Sequence, residues 1–282
     1  MNLQRFAVFL CVVGLPNLLL GHDALSSKTA KVNGVKIYYR ISQNDKPPLL
    51  LLHAFASSGD HTWNRRLRAR LSQRYRLIIP DLRGHGRSTN PTKSFTHRQA
   101  AEDIYGLLDH LGIRRFKAIG VSTGGMTLLH MATKSPDRVE TMVLVSATHY
   151  FPATARKIMA RSTPNVLQKQ AGWDDASMGK IHFRGAEQIR LLRRQFHHFH
   201  RSYADMNFTR PLLGTIKART LIMHGDQDPL FPIAIPVAMH SAIPASSLWI
   251  VPSAGHIPFV DSRGKANKLV PFAERSLLFL SK

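Results

Sequence analysis

The sequence predicts an α/β protein: a mostly parallel, doubly wound sheet with helices on both faces and a helical insertion late in the chain. Two observations carry this. Short unbroken apolar runs near residues 49–52, 77–80, 116–120, 142–146, 220–223 and 248–251 read as strands. Continuous apolar character, in place of strict alternation, is what a strand buried on both faces requires. Between the first four runs lie stretches with helical apolar spacing, such as Arg98-Gln-Ala-Ala-Glu-Asp-Ile-Tyr-Gly-Leu-Leu-Asp-His-Leu111. Strands alternating with helices imply a parallel sheet, because each crossover needs a helix to return the chain.

The elements follow in order. Residues 1–24 open with one basic residue, Arg5, and an almost unbroken apolar run over residues 6–20. That is the length of a signal peptide and short for a membrane span, so export to the periplasm or medium is expected. Small residues at Gly21 and Ala24 offer cleavage points; an uncleaved anchor is the competing reading. The single cysteine, Cys11, falls inside this leader, so a processed chain forms no disulfide and holds no thiol nucleophile or cysteine metal site. Residues 29–41 alternate around Asn33-Gly34, a two-residue hairpin signal. Residues 25–148 and 214–282 then carry the strand–helix pattern. Residues 149–213 break it, with helical stretches rich in Arg, His, Met and Phe and no convincing strand, too long for a plain loop.

The chain carries 39 Lys and Arg against 17 Asp and Glu, a net charge of +22. Such a balance favours weak contact with anionic surfaces. No nucleic-acid motif accompanies it and the charge is spread along the chain, so it reads as a surface property and no nucleic-acid partner is expected. His197, His198 and His200 cluster without further ligands at matching positions, which reads as a solvated basic helix and not a metal site.

The chemistry concentrates at Gly120-Val-Ser122-Thr-Gly124. An apolar strand ends at Gly120 and a helical pattern begins after Gly125, so Ser122 sits on a strand-to-helix turn that presents its hydroxyl beyond the sheet edge. A nucleophilic serine needs a base, and the base an orienting carboxylate. Both follow strands: Gly225-Asp226-Gln227-Asp228-Pro229 after one apolar run, and Ser253-Ala-Gly255-His256 after the next. Loops at the C-terminal ends of parallel strands are where open sheets bind ligands.

Together with Leu49-Leu-Leu-Leu-His-Ala-Phe-Ala-Ser-Ser58 and Ile79-Pro-Asp-Leu-Arg-Gly-His-Gly-Arg-Ser88, these stretches resemble the α/β-hydrolase fold superfamily, in its order, from about Lys31 to the C-terminus. The resemblance implies that Ser122 is the nucleophile, Asp228 the acid, because it lies three residues after Gly225, and His256 the general base. It also implies an oxyanion hole from the backbone N–H groups of Phe55 and Thr123, with Ala54 standing where the family usually has glycine. His53, His85, Asp81 and Arg83 then hold the two turns structurally. Residues 149–213 correspond to the family's helical cap, with Phe151, Met159, Trp173, Met178, Phe196, Phe199 and Met206 as candidate pocket residues. The expected function is a serine hydrolase of a carboxylic ester, with cyclic esters and lactones up to macrocyclic ones included, taking a small-molecule ester or lactone substrate through an acyl-enzyme without cofactor or metal. An acyltransferase, an aminopeptidase and a carbon–carbon bond hydrolase are the rivals.

Overall fold

A computed structural model describes residues 25–260 and 270–282, so the expected leader, with Cys11, lies outside the described residues. The first two strands, β1 (Leu25–Val32) and β2 (Val35–Ser42), form a hairpin turning on Asn33 and Gly34. Both turn residues have positive φ, 46° and 77°, as a two-residue turn between twisted strands demands. The remaining strands are β3 (Pro48–Leu52), β4 (Arg76–Pro80), β5 (Phe116–Val121), β6 (Val139–Val145), β7 (Arg219–Gly225) and β8 (Ser246–Val251). Their order in the sheet is β1-β2-β4-β3-β5-β6-β7-β8. Among the described residues, only β2 runs against its neighbours, and every other pairing is parallel.

Period-two geometry explains the unbroken apolar runs. Leu50 and Leu52 face one core, Leu49 and Leu51 the other, and all four are fully buried. Each contributes about 2 kcal/mol of transfer free energy. The helices α1 (Gly59–Thr62) and α2 (Arg65–Ser72) link β3 to β4, and α3 (His97–His110) follows β4. The helix α4 (Thr123–Lys134) joins β5 to β6. The segment between β6 and β7 holds α5 (Ala153–Arg161), α6 (Pro164–Gln168), α7 (Asp175–Gly179), α8 (Ala186–His198), a 3₁₀ turn at Phe199–Arg201, and α9 (Arg210–Leu213). Among the described residues, the last two helices are α10 (Ala234–Ala242) and α11 (Phe272–Ser281). Residues of α3, α4 and α10 fill one core, those of α2 and α11 the other.

After β3 the chain builds outward to β4, then crosses back to place β5 on the other side of β3. The strand order therefore reverses between β3 and β5, and a crevice opens beyond their C-terminal ends. The loops leaving those two ends carry Phe55 and Ser122.

The helical insertion is tied to the core at several places, including the Gly84–Gly86 turn and the start of α3. Gln188 donates through Nε2 to the carbonyls of Gly84 and Gly86, at 2.9 and 3.1 Å, and the Phe183 N–H donates to the Gly86 carbonyl. At the second of these, the buried Asp205 accepts from the N–H groups of His97 and Arg98 at the start of α3 and from His97 Nδ1 at 2.6 Å. A carboxylate there meets the unpaired N–H groups and positive end of the helix. Burial alone would raise its pKa, but His97 and these donors hold it down at about 2.

Candidate active site

Ser122 is the residue before α4, with φ 50° and ψ −113°, a backbone that L-residues rarely adopt. The surrounding glycines allow it. A Cβ on Gly120 would lie 2.5 Å from the Gly124 carbonyl carbon, and one on Gly124 would lie 2.4 Å from the Leu52 oxygen. Strand, turn and helix therefore approach too closely for any side chain at either position, and the turn presents the serine at the crevice.

The structure brings Ser122, His256 and Asp228 into one hydrogen-bonded chain. His256 Nδ1–H donates to Asp228 Oδ2 at 2.8 Å, because a carboxylate only accepts. Nε2 is then left with its lone pair and accepts from the Ser122 hydroxyl at 3.0 Å. Asp228 is buried, and Oδ1 accepts from the N–H groups of Leu230 and Phe231 at 2.8 and 3.2 Å. Burial pushes its pKa up, but the attraction of His256 and His224 and these donors hold the carboxyl below its ordinary value. Asp226, by contrast, is exposed, and among the described residues its side chain makes one hydrogen bond, from the Ala254 N–H at 3.3 Å. It ties the aspartate loop to the histidine loop and does not reach the imidazole.

The N–H groups of Phe55 and Thr123 donate to no acceptor among the described residues. Thr123 is the first residue of α4, where a helix leaves its N–H groups unpaired. Ala54, standing where the family usually has glycine, does not have positive φ; Ala56 does, at 55°. The Phe55 ring packs against Phe199 at 5.0 Å, Phe95 at 5.6 Å, Phe196 at 6.0 Å and Trp173 at 6.4 Å between centroids. Met178 joins the cluster containing Phe55 and Trp173. Of the other pocket candidates, Phe151 stacks on Phe199 at 5.7 Å, and with Met159 and Met206 it lies in the main core.

Behind the Phe55 loop lie three buried imidazoles. His53 accepts the Leu82 N–H at Nε2 and donates from Nδ1 to the Ala54 carbonyl. His182 accepts the Gly86 N–H and donates to the Ala56 carbonyl at 3.2 Å, while His85 donates to the Arg83 carbonyl. Asp81 bridges the N–H groups of Gly59 and Arg87, as expected of a turn-holding carboxylate. Arg83 holds Asp103 of α3 instead of its own turn. The His197 and His200 rings bond to backbone carbonyls.

Burial lowers the pKa of His53 to about 4 and of His182 to about 3, and places His85 well below its ordinary value. In the unfolded chain each titrates near 6.5. Between those values the unfolded chain binds more protons, so folding stability falls as pH falls. For His53 alone the loss at about pH 4 is on the order of 3 kcal/mol. Urea midpoints are expected to drop steadily from about pH 7 downward at constant m-value. A midpoint that stays flat to about pH 4.5 would mean that these rings are charged in the native state.

The sequence model of the alpha/beta hydrolase fold matches residues 47–184 and 185–262, most of the chain. The chain belongs to the α/β-hydrolase fold family. Within that family it is similar to the serine hydrolase BPHL of Homo sapiens, 28% identical over 260 residues, covering 90% of this chain and 88% of that one. Among solved structures, this hydrolase-fold chain resembles a bacterial membrane phospholipase A at TM-score 0.74 and 23% identity, over 92% of this chain and 86% of the other. It also resembles the enol-lactonase of Burkholderia xenovorans LB400 at TM-score 0.70 and 23% identity, over 90% and 100%. At such identities the two structures share the fold.

Sequence reasoning passed over His224, Phe231 and Asp205. For His224 a signal existed: a histidine closes an apolar strand directly before the Gly-Asp turn. Nothing in the sequence ties Asp205 to a helix about a hundred residues earlier.

Proposed function

We propose that this protein is a serine hydrolase of a carboxylic ester or lactone, and the hydrogen-bonded chain Ser122–His256–Asp228 carries the reading. His256 Nε2 takes the hydroxyl proton as Ser122 Oγ attacks the carbonyl carbon. The oxygen becomes an oxyanion held by the N–H groups of Thr123 and Phe55. Collapse breaks the bond to the alcohol oxygen, which leaves with the proton from His256, and the acyl group stays on Ser122. Water, deprotonated by His256, then attacks the acyl-enzyme and releases the acid. Asp228 keeps the imidazole in the required tautomer throughout. The helical insertion acts as a cap, and the aromatic cluster around Phe55 forms an apolar wall for the acyl or leaving group.

The acids of the insertion favour ester over aminoacyl amide. An aminopeptidase must compensate a substrate ammonium with carboxylates near the serine. Residues 149–213 contain four acids against eleven Lys and Arg. Each of the four is engaged elsewhere. Asp174 caps α7, Asp175 pairs with Arg193, Glu187 with Lys93, and Asp205 holds the start of α3. A buried ammonium would therefore lack a partner.

A panel of neutral esters of graded acyl length, lactones and aminoacyl amides is expected to show turnover of the first two classes and negligible cleavage of amides. Efficient cleavage of a proline amide, with esters of the same size untouched, would overturn the reading.

A further inference from the structure

Asp228 and His256 have a common neighbour to which no role has been assigned. His224 is the penultimate residue of the strand β7, fully buried, with Nε2 2.8 Å from the Phe231 carbonyl oxygen and 3.4 Å from Asp228 Oδ2. Both neighbours only accept, so Nε2 carries the proton. Nδ1 is buried with no hydrogen-bond partner among the described residues, and a proton there would meet no acceptor among them. The ring is therefore neutral in one tautomer, and burial lowers its pKa in the same sense. The titratable groups that face it are Asp228 and His256.

Two supports of the base depend on that one N–H. The first is Asp228, whose Oδ2 faces His256 Nδ1 on one side and the His224 edge on the other. The second is Phe231, whose ring meets the His256 ring edge-on at 5.4 Å and 67°. Its carbonyl is the strong acceptor of the His224 N–H, while its own N–H binds Asp228 Oδ1. The loop from Asp228 to Phe231 cannot turn without breaking the bond to His224. We propose that His224 is a positioning residue: its Nε2–H fixes the Asp228–Phe231 loop so that both the carboxylate and the phenyl ring hold His256 in line with Ser122. This rests on the proposed roles of those three residues.

Three variants test it, read by the rate of fluorophosphonate labelling and by ester turnover. His224→Leu fills the space without a donor, and His224→Gln places an amide N–H near the former Nε2. His224→Asn places its donor near the former Nδ1, away from Phe231. The Leu and Asn variants are expected to lose about 10- to 100-fold in labelling rate and kcat, with KM little changed, as small misplacements of catalytic groups do. The acidic limb of kcat/KM should also move to lower pH, because a displaced Asp228 stabilises the imidazolium less. A general loosening of the fold would lower activity without moving that limb. The Gln variant should recover to within about fivefold of the parent. Parental labelling in a folded Leu or Asn variant, or a Gln variant as slow as the Leu one, would overturn the assignment. If Leu does not fold, the Gln and Asn pair decides alone. Failure of the triad reading is a separate result, seen as labelling that survives Ser122→Ala.

Discussion

Ser122→Ala is expected to lower ester turnover by at least about 10⁴-fold, as removal of a catalytic nucleophile does in serine hydrolases. The change deletes one oxygen, which His256 Nε2 meets at 3.0 Å. Alanine at φ 50° carries about the same backbone strain as serine, so that strain does not change. Folding should shift by only about 1 kcal/mol, the worth of one hydrogen bond. The measurement pairs kcat with thermal unfolding and fluorophosphonate labelling. A folded variant that still labels would move the nucleophile off this residue.

The second large effect separates two aspartates. Asp228→Asn is expected to cost about 10⁴-fold in kcat, because an amide does not hold the imidazole with its proton on Nδ1. Asp226→Asn should stay within about tenfold, since its amide oxygen can still accept from the Ala254 N–H and its side chain stands in solvent. Both variants keep the shape of the residue, so unequal losses report the chemistry. A larger loss for Asp226→Asn would place the acid there and leave Asp228 a loop-building role.

The parts legible in the sequence are those written in local pattern. The two-sided sheet was visible because Leu49 to Leu52 offer apolar side chains to both faces, and the hairpin because Asn33-Gly34 permits positive φ twice. The turn at Ser122 was legible because only glycine fits where strand, turn and helix crowd together. Counting from Gly225 singled out the aspartate that the structure places against the imidazole. Contacts that join distant segments were not legible. Asp205 meets the start of α3, and Trp173, Phe196 and Phe199 gather on Phe55, through the packing of short helices whose mutual angles no periodicity encodes. His224 was hidden differently: at the end of an apolar strand a buried histidine reads as filler until its partners are seen.

Phe55 joins two structures that are ordinarily separable. Its backbone belongs to the loop that the proposed mechanism uses to receive the carbonyl oxygen, and its ring belongs to the aromatic roof formed with the insertion. A substrate that prises the roof apart therefore pulls on the donor that must stabilise its own transition state. One that slips beneath it leaves the donor aimed. Selectivity in such an enzyme is expressed in the speed of the chemical step as well as in the tightness of binding. Under the proposed mechanism, substitutions in the insertion inherit leverage over catalysis, and drift in the roof retunes which acyl groups react while the three residues at the sheet edge stay as they are.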